Sequence, residues 1–373
     1  MSRFNSQIYR TKSLSWIGAV VLAAFITWMV VACLIPTFCA PEPEKQLYTI
    51  RHQDLRDNNA LYTDLLLKSV KANGGYLVLG TSETNARPKG NYYDFLNADT
   101  TLHCGFSVIA GAGRTSCTYF PLIQSNANVK GLKVIFFLNP SYGCGKLASS
   151  NVDYFSRYVS HTLYRQSNRP KNQDVDNILK VNKKQELLVD RVGDYFGSHI
   201  DKLRRKYYQD MRFRHDSAKF FGSLVWLDSA RVAGLPQRCD RPDSSRYNYR
   251  MNVGADFDVH SYTLWPHPEE PYRCDELRTM IRLCKERGVD VVFVAGPYNH
   301  IAFAQVHPAE LPKIQQVSKN MLCVLDEEGA TYIDCTDLST VPGVFADWQH
   351  HTSYGAFLIY QKIRDYVLEK ENR

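Results

Sequence analysis

Tyr76-Leu77-Val78-Leu79-Gly80-Thr81-Ser82-Glu83 is the stretch on which the reading of this chain turns. Four apolar residues in unbroken succession read as a strand buried on both faces, as parallel sheets require. A glycine then ends the run and a serine stands on the turn. Open α/β sheets bind their ligands beyond the carboxyl ends of the strands, so Ser82 stands where such a sheet does its chemistry. A plainer role is open beside this one, in which Ser82 caps the helix that follows.

The pattern recurs on both sides of that stretch. Phe106-Ser107-Val108-Ile109 reads as a second strand and leads into Ala110-Gly111-Ala112-Gly113-Arg114. Val134 to Leu138 is a third, continuously apolar, and stops at Asn139-Pro140-Ser141-Tyr142. Val289 to Val294 is a fourth, followed by Ala295-Gly296-Pro297-Tyr298-Asn299, and Ala330 to Asp334 is a short last one. Amphipathic segments separate them. Leu61, Leu65 and Leu66 mark one that stops at Asn73-Gly74-Gly75, and Ser116 to Gln124 is a second. Leu277, Met280, Ile281 and Cys284 mark another, closed by Gly288. Residues 310–328 form the next, and Phe357, Tyr360, Ile363 and Val367 the last. Strands alternating with helices predict a parallel sheet covered on both faces. From about 145 to 265 the strand signals thin out, and this section reads as a mostly helical insertion. It holds a basic cluster (Lys202, Arg204, Arg205, Lys206, Arg212, Arg214 and Lys219) with Tyr207, Tyr208 and Phe213 among it. That cluster is either a solvated helix face or a surface for an anionic polymer or lipid.

The net charge of +7 over 373 residues is modest, and a single basic cluster does not indicate nucleic-acid binding. Trp16 through Pro36 is one uncharged apolar run. At about 1.5 Å per residue, about twenty residues cross a bilayer. Arg3, Arg10 and Lys12 precede it with no acid among them, so the positive-inside rule puts the N-terminus in the cytoplasm. The expectation is a single-pass protein at the cell membrane. Residues 1–40 are its tail and transmembrane anchor, and 41–373 its extracytoplasmic domain. A cleaved signal peptide is an alternative, as is a lipoprotein box at Val30-Val31-Ala32-Cys33 with Cys33 lipidated. The ten cysteines include no Cys-x-x-Cys pair, so a zinc or redox motif is not indicated. In an oxidising compartment some of them are expected to form disulfides.

A serine is a weak nucleophile until a base takes its proton. Asp347-Trp348-Gln349-His350, on a loop before the last helix, offers a carboxylate and an imidazole three residues apart. Ser82, His350 and Asp347 therefore make a candidate Ser-His-Asp constellation. The local Gly-x-Ser-x-Gly elbow is absent. His351 is the rival base. Asp347 alone, capping the last helix without touching His350, is the plainer alternative. The backbone N–H groups of Ser82 and Gly113 are candidates for the oxyanion hole, with Asn139 a further donor. Arg114 is read either as a contact for a substrate carboxylate or phosphate or as a structural ion pair. Tyr142 and Trp348 line an acyl pocket or pack in the core, and His300 and His307 read as surface or core-edge groups. No metal or cofactor is called for.

Gly80-Thr81-Ser82-Glu83, together with Asp347, His350 and Gly355 in the pattern Asp-x-x-His-x-x-x-x-Gly, resembles the SGNH/GDSL hydrolases. Within that group the chain most resembles the DltD family, membrane-anchored proteins of D-alanyl transfer to teichoic acids. Gly111-Ala112-Gly113-Arg114 and Pro297-Tyr298-Asn299 also match it. The resemblance implies a three-layer α/β/α, flavodoxin-like domain with a helical insertion. It implies an acyltransferase or esterase that works through an acyl-serine on a cell-envelope polymer or glycan. A membrane-bound O-acyltransferase and an acyl carrier protein are the implied partners. Glu83 matches the acid beside the family's serine, and its expected role is to order the loop. A carbohydrate O-acetyl esterase and a non-catalytic accessory protein docked to such an acyltransferase are the competing readings.

Overall fold

In the computed structural model, the described residues are 2–34, 42–49, 63, 65–85, 90–110, 119–125, 127–140, 224–232 and 272–372. Among them a seven-stranded sheet organises the chain. In order along the chain, helix α1 (Ser2–Leu34) precedes strand β1 (Leu47–Thr49). Helix α2 (65–72) leads to β2 (Tyr76–Gly80), a one-turn helix α3 (Ser82–Asn85) and α4 (Tyr92–Ala98). Next come β3 (Phe106–Ala110), α5 (Phe120–Ser125), β4 (Lys133–Leu138), β5 (Val225–Trp226) and α6 (Leu227–Val232). The chain ends with α7 (Tyr272–Glu286), β6 (Asp290–Ala295), α8 (His300–Val306), α9 (Leu311–Glu327), β7 (Tyr332–Asp334) and α10 (Ser353–Glu371).

The sheet order is β5-β1-β3-β2-β4-β6-β7, and every pairing is parallel except that of β5 with β1. Beginning at β2, the chain first adds β3 on one side. It then returns to β4 on the other side and continues outward through β6 and β7. This is the doubly wound order second-first-third-fourth-fifth, whose direction of growth reverses between β2 and β4. Strand residues alternate between the faces. Leu77, Leu79, Val134, Phe136, Phe293 and Ala295 pack with apolar residues of α2, α5, α7 and α9. Tyr76, Val78, Ile135, Phe137, Val292 and Val294 pack with those of α4 and α10. Helices therefore cover both faces, which is why these strands read as unbroken apolar runs.

Several elements depart from expectation. Strand β1 at Leu47–Thr49 was not among the expected strands; three residues are too few to show a period. The range read as a helical insertion supplies β5, a two-residue edge strand, and α6. The rest of that insertion, with its basic cluster and Tyr142, lies outside the described residues. Helices α4 and α8 were not legible. Tyr92 through Asn97 are all buried, so α4 has no polar stripe to reveal its period. Cys104, Cys274, Cys284, Cys323 and Cys335 are thiols rather than disulfides. Cys104, Cys284 and Cys335 sit in the core, where burial pushes each thiol up to about 12. Among the described residues no helix is long and apolar enough to cross a membrane. Trp16, Ile17, Val20 and Phe25 on α1 are exposed.

Phe293 is fully buried at the centre of one face and stacks on Phe136 with ring centroids 5.7 Å apart. Phe293→Ala is predicted to cost about 3–5 kcal/mol, read as a lower urea midpoint. Lys319→Ala, on an exposed position of α9, is expected to stay within about 0.5 kcal/mol of wild type.

Candidate functional site

The winding reverses between β2 and β4, and doubly wound sheets place their ligands beyond the carboxyl ends of the strands at such a point. Ser82 is the first residue of α3, immediately beyond β2, so the capping position falls to Thr81 rather than to Ser82. The turn is tight. A Cβ on Gly80 would stand 2.0 Å from Thr84 Oγ1, so only glycine lets α3 fold back over the strand end. Thr84 Oγ1 in turn lies 3.0 Å from the hydroxyl of Tyr92.

Glu83 follows on the same turn and is buried. Its Oε1 accepts a hydrogen bond from Asn139 Nδ2, which stands just past the end of β4. This bond joins the segments that leave the paired strands β2 and β4. Burial pushes the Glu83 carboxyl up to about 7, against the opposing pull of its own backbone N–H, of His350 and of Asn139. Both His350 and Asp347 act electrostatically on Glu83, the residue after Ser82.

That loop is built as a closed unit. Phe345 and His351 form an antiparallel bridge, and the Ala346 N–H donates to the His350 carbonyl at 2.8 Å. Within it, Asp347 Oδ1 accepts from the backbone N–H groups of Gln349 (2.9 Å) and His350 (2.7 Å). Asp347 Oδ2 lies 2.7 Å from His350 Nδ1. Burial works to raise the Asp347 pKa, but the hydrogen bonds from His350 and Gln349 outweigh it and hold the carboxyl below its ordinary range. An ionised carboxylate only accepts, so His350 Nδ1 is the donor of this pair. The His350 side chain is 27% exposed.

Asn299, beyond the end of β6, ties this loop to the sheet. Its Nδ2 donates to the Asp347 carbonyl at 2.8 Å, and its own N–H donates to the Trp348 carbonyl at 3.2 Å. Its Oδ1 meanwhile caps α8 through Ala302 N–H. Trp348 is buried against Tyr298, Phe303 and Ile314 and works as a core anchor. Thr352 caps α10 by accepting from the Gly355 N–H, so the last helix does not depend on Asp347 for its cap. A Cβ on Gly355 would lie 2.2 Å from the Val344 carbonyl oxygen, which explains the glycine five residues after His350.

His351 is not a base. It is 5% exposed and packed against Phe137 and Phe345, neither ring nitrogen has a hydrogen-bond partner, and burial lowers its pKa to about 3. His307 stacks on Trp348, and burial lowers the pKa of His300. Gly113 and Arg114 lie outside the described residues. The sequence pattern did not single out Asn299 as a support of the loop. An asparagine right after a strand and a Gly-Pro turn is a capping signal, and that signal was there to find.

No family model matches the sequence, and no curated protein does. Among solved structures, the crystal structure of the acetyl xylan esterase AlAXEase aligns over 78% of this chain and 99% of its own, at 10% identity and a TM-score of 0.37. A likeness at that level carries no argument about activity.

Two predictions follow from this geometry. The ordinary Glu83 pKa of 4.5 rises to about 7 on folding, so the stability this group contributes is complete below pH 4.5 and is lost as pH rises through about 7. Glu83→Gln removes that loss. Its unfolding free energy relative to wild type is expected to rise by about 1–3 kcal/mol between pH 5 and pH 8, measured by urea unfolding; a difference independent of pH would count against the raised carboxyl. Gly355→Ala must displace backbone and is expected to cost about 1–3 kcal/mol, read as a fall in melting temperature.

Proposed function

We propose that this protein is a membrane-tethered serine acyltransferase or esterase of SGNH type that acts on a cell-envelope polymer through an acyl-serine. The observation that carries the reading is the Asp347–His350 pair at 2.7 Å; both residues act electrostatically on Glu83, which follows Ser82 on α3. A carboxylate that fixes the Nδ1–H tautomer leaves Nε2 to act as a general base. A switch point in a doubly wound sheet is a further support, since such crevices are where these sheets bind substrates.

His350 Nε2 takes the proton from the Ser82 hydroxyl as that oxygen attacks the carbonyl carbon of an acyl ester or thioester. The tetrahedral oxyanion is stabilised by the backbone N–H groups of Ser82 and Gly113 and by the Asn139 amide. Collapse breaks the bond to the leaving oxygen or sulfur, which His350 protonates. Water or a polymer hydroxyl, deprotonated by His350, then attacks the acyl-serine and restores Ser82. Arg114 is available to a carboxylate or phosphate on the substrate. The DltD resemblance makes D-alanyl the acyl group and teichoic acid the acceptor, with a membrane-bound O-acyltransferase and an acyl carrier protein as partners. The single-pass tether with the domain outside the cytoplasm rests on the uncharged run Trp16–Pro36 and the basic residues before it in the sequence.

A fluorophosphonate probe is expected to label Ser82 in the full-length protein. Ser82→Ala should abolish the label and lower kcat for ester hydrolysis by about 10³-fold or more. An adduct on another serine, or wild-type turnover in Ser82→Ala, would sink the proposal. Normal envelope ester content in cells carrying Ser82→Ala at normal protein level would favour a non-catalytic accessory role. Hydrolysis by the isolated protein without an acceptor would favour a carbohydrate O-acetyl esterase.

A further inference from the structure

Glu83 takes no proton in the mechanism above, yet it is the buried acid beside it. Its side chain is 3% exposed, and its Oε2 is buried with no hydrogen-bond partner. Leaving a carboxyl oxygen so is costly, and a fold keeps such a group where something depends on it. What depends on it here is Asn139. A primary amide has an oxygen and a nitrogen of almost equal size, so packing alone does not decide which of them faces a given side. An acceptor does decide it. Glu83 Oε1 accepts from Asn139 Nδ2, and so draws the nitrogen rather than the oxygen toward the crevice between β2 and β4. Glu83 adjoins Ser82 on α3, and Asn139 follows the strand paired with β2, so the bond joins the two edges of the crevice.

We propose that Glu83 is a positioning residue: by accepting from Asn139 Nδ2 it locks the Asn139 amide as a donor to the oxyanion formed at Ser82. The inference rests on the acyl-serine reading. Glutamine presents the same acceptor; alanine and methionine present none, and methionine fills nearly the same space.

The test is steady-state hydrolysis of p-nitrophenyl acetate by the full-length protein in detergent. Glu83→Ala and Glu83→Met are each expected to lower kcat about 100-fold, the order found when one oxyanion donor is lost, with KM within about threefold. Glu83→Gln is expected to recover most of that loss. Asn139→Ala should match Glu83→Ala, and the Glu83→Ala/Asn139→Ala double variant should be no slower than Asn139→Ala alone. Losses that multiply in the double variant, wild-type kcat in Glu83→Met, or no recovery in Glu83→Gln would each overturn the proposal. Fluorophosphonate labelling separates the two levels. Labelling at Ser82 with unaffected Glu83 variants defeats the positioning role alone, whereas absence of Ser82 labelling and Ser82-dependent turnover defeats both.

Discussion

Strand β2 is hydrogen-bonded on both edges and buried on both faces, and the arrangement of the molecule depends on its ladder. Tyr76 to Gly80 pair in register with Phe106 to Ala110 on one side, and Tyr76 to Leu79 with Lys133 to Phe136 on the other. A strand so placed has no freedom to shift, since a slip of one residue would turn Leu77 and Leu79 to the wrong helical layer. Its carboxyl end is correspondingly fixed. The winding reverses there, which is where doubly wound sheets leave room for a ligand at their carboxyl edge.

Onto that fixed edge the chain brings groups from far apart in sequence. Thr81 to Glu83 arrive from β2, Asn139 from β4, Asn299 from β6, and Asp347 with His350 from the loop before α10. Each is held by backbone or by a buried partner rather than by solvent. Asn299 is the economical case, since one side chain caps α8 and fastens the dyad loop at once. Trp348, between Asp347 and His350 in sequence, drives into the satellite core formed by Tyr298, Phe303 and Ile314. The loop is thereby anchored by its apolar member while its polar members stay at the crevice.

The two adjacent histidines show how much environment decides. His350 and His351 have the same chemistry and neighbouring positions. An antiparallel bridge turns one ring into the aromatic core, where burial holds it neutral, and leaves the other beside a carboxylate. Glu83 and Asp347 diverge in the same way. Burial raises the first, while hydrogen bonds from its own loop hold the second low.

The continuous apolar runs at β2, β3, β4 and β6 were legible because a strand buried on both faces has no other way to be written. The helices α7, α9 and α10 were legible because each has one wet side. The Asp347–His350 pair could be read from spacing, since a short loop keeps such neighbours together. Other features had no local signature. β1 and β5 are too short to carry a period, and α4 is too buried to show a polar face. His350 was preferred to His351 by its spacing to Gly355, but that the His351 ring packs on Phe137 and Phe345 was not legible. The bond from Asn139 to Glu83 joins residues 56 apart in sequence. Local composition settles what a segment can become, and only strand order settles which segments meet at the crevice, because adjacency across a sheet is a property of the whole chain.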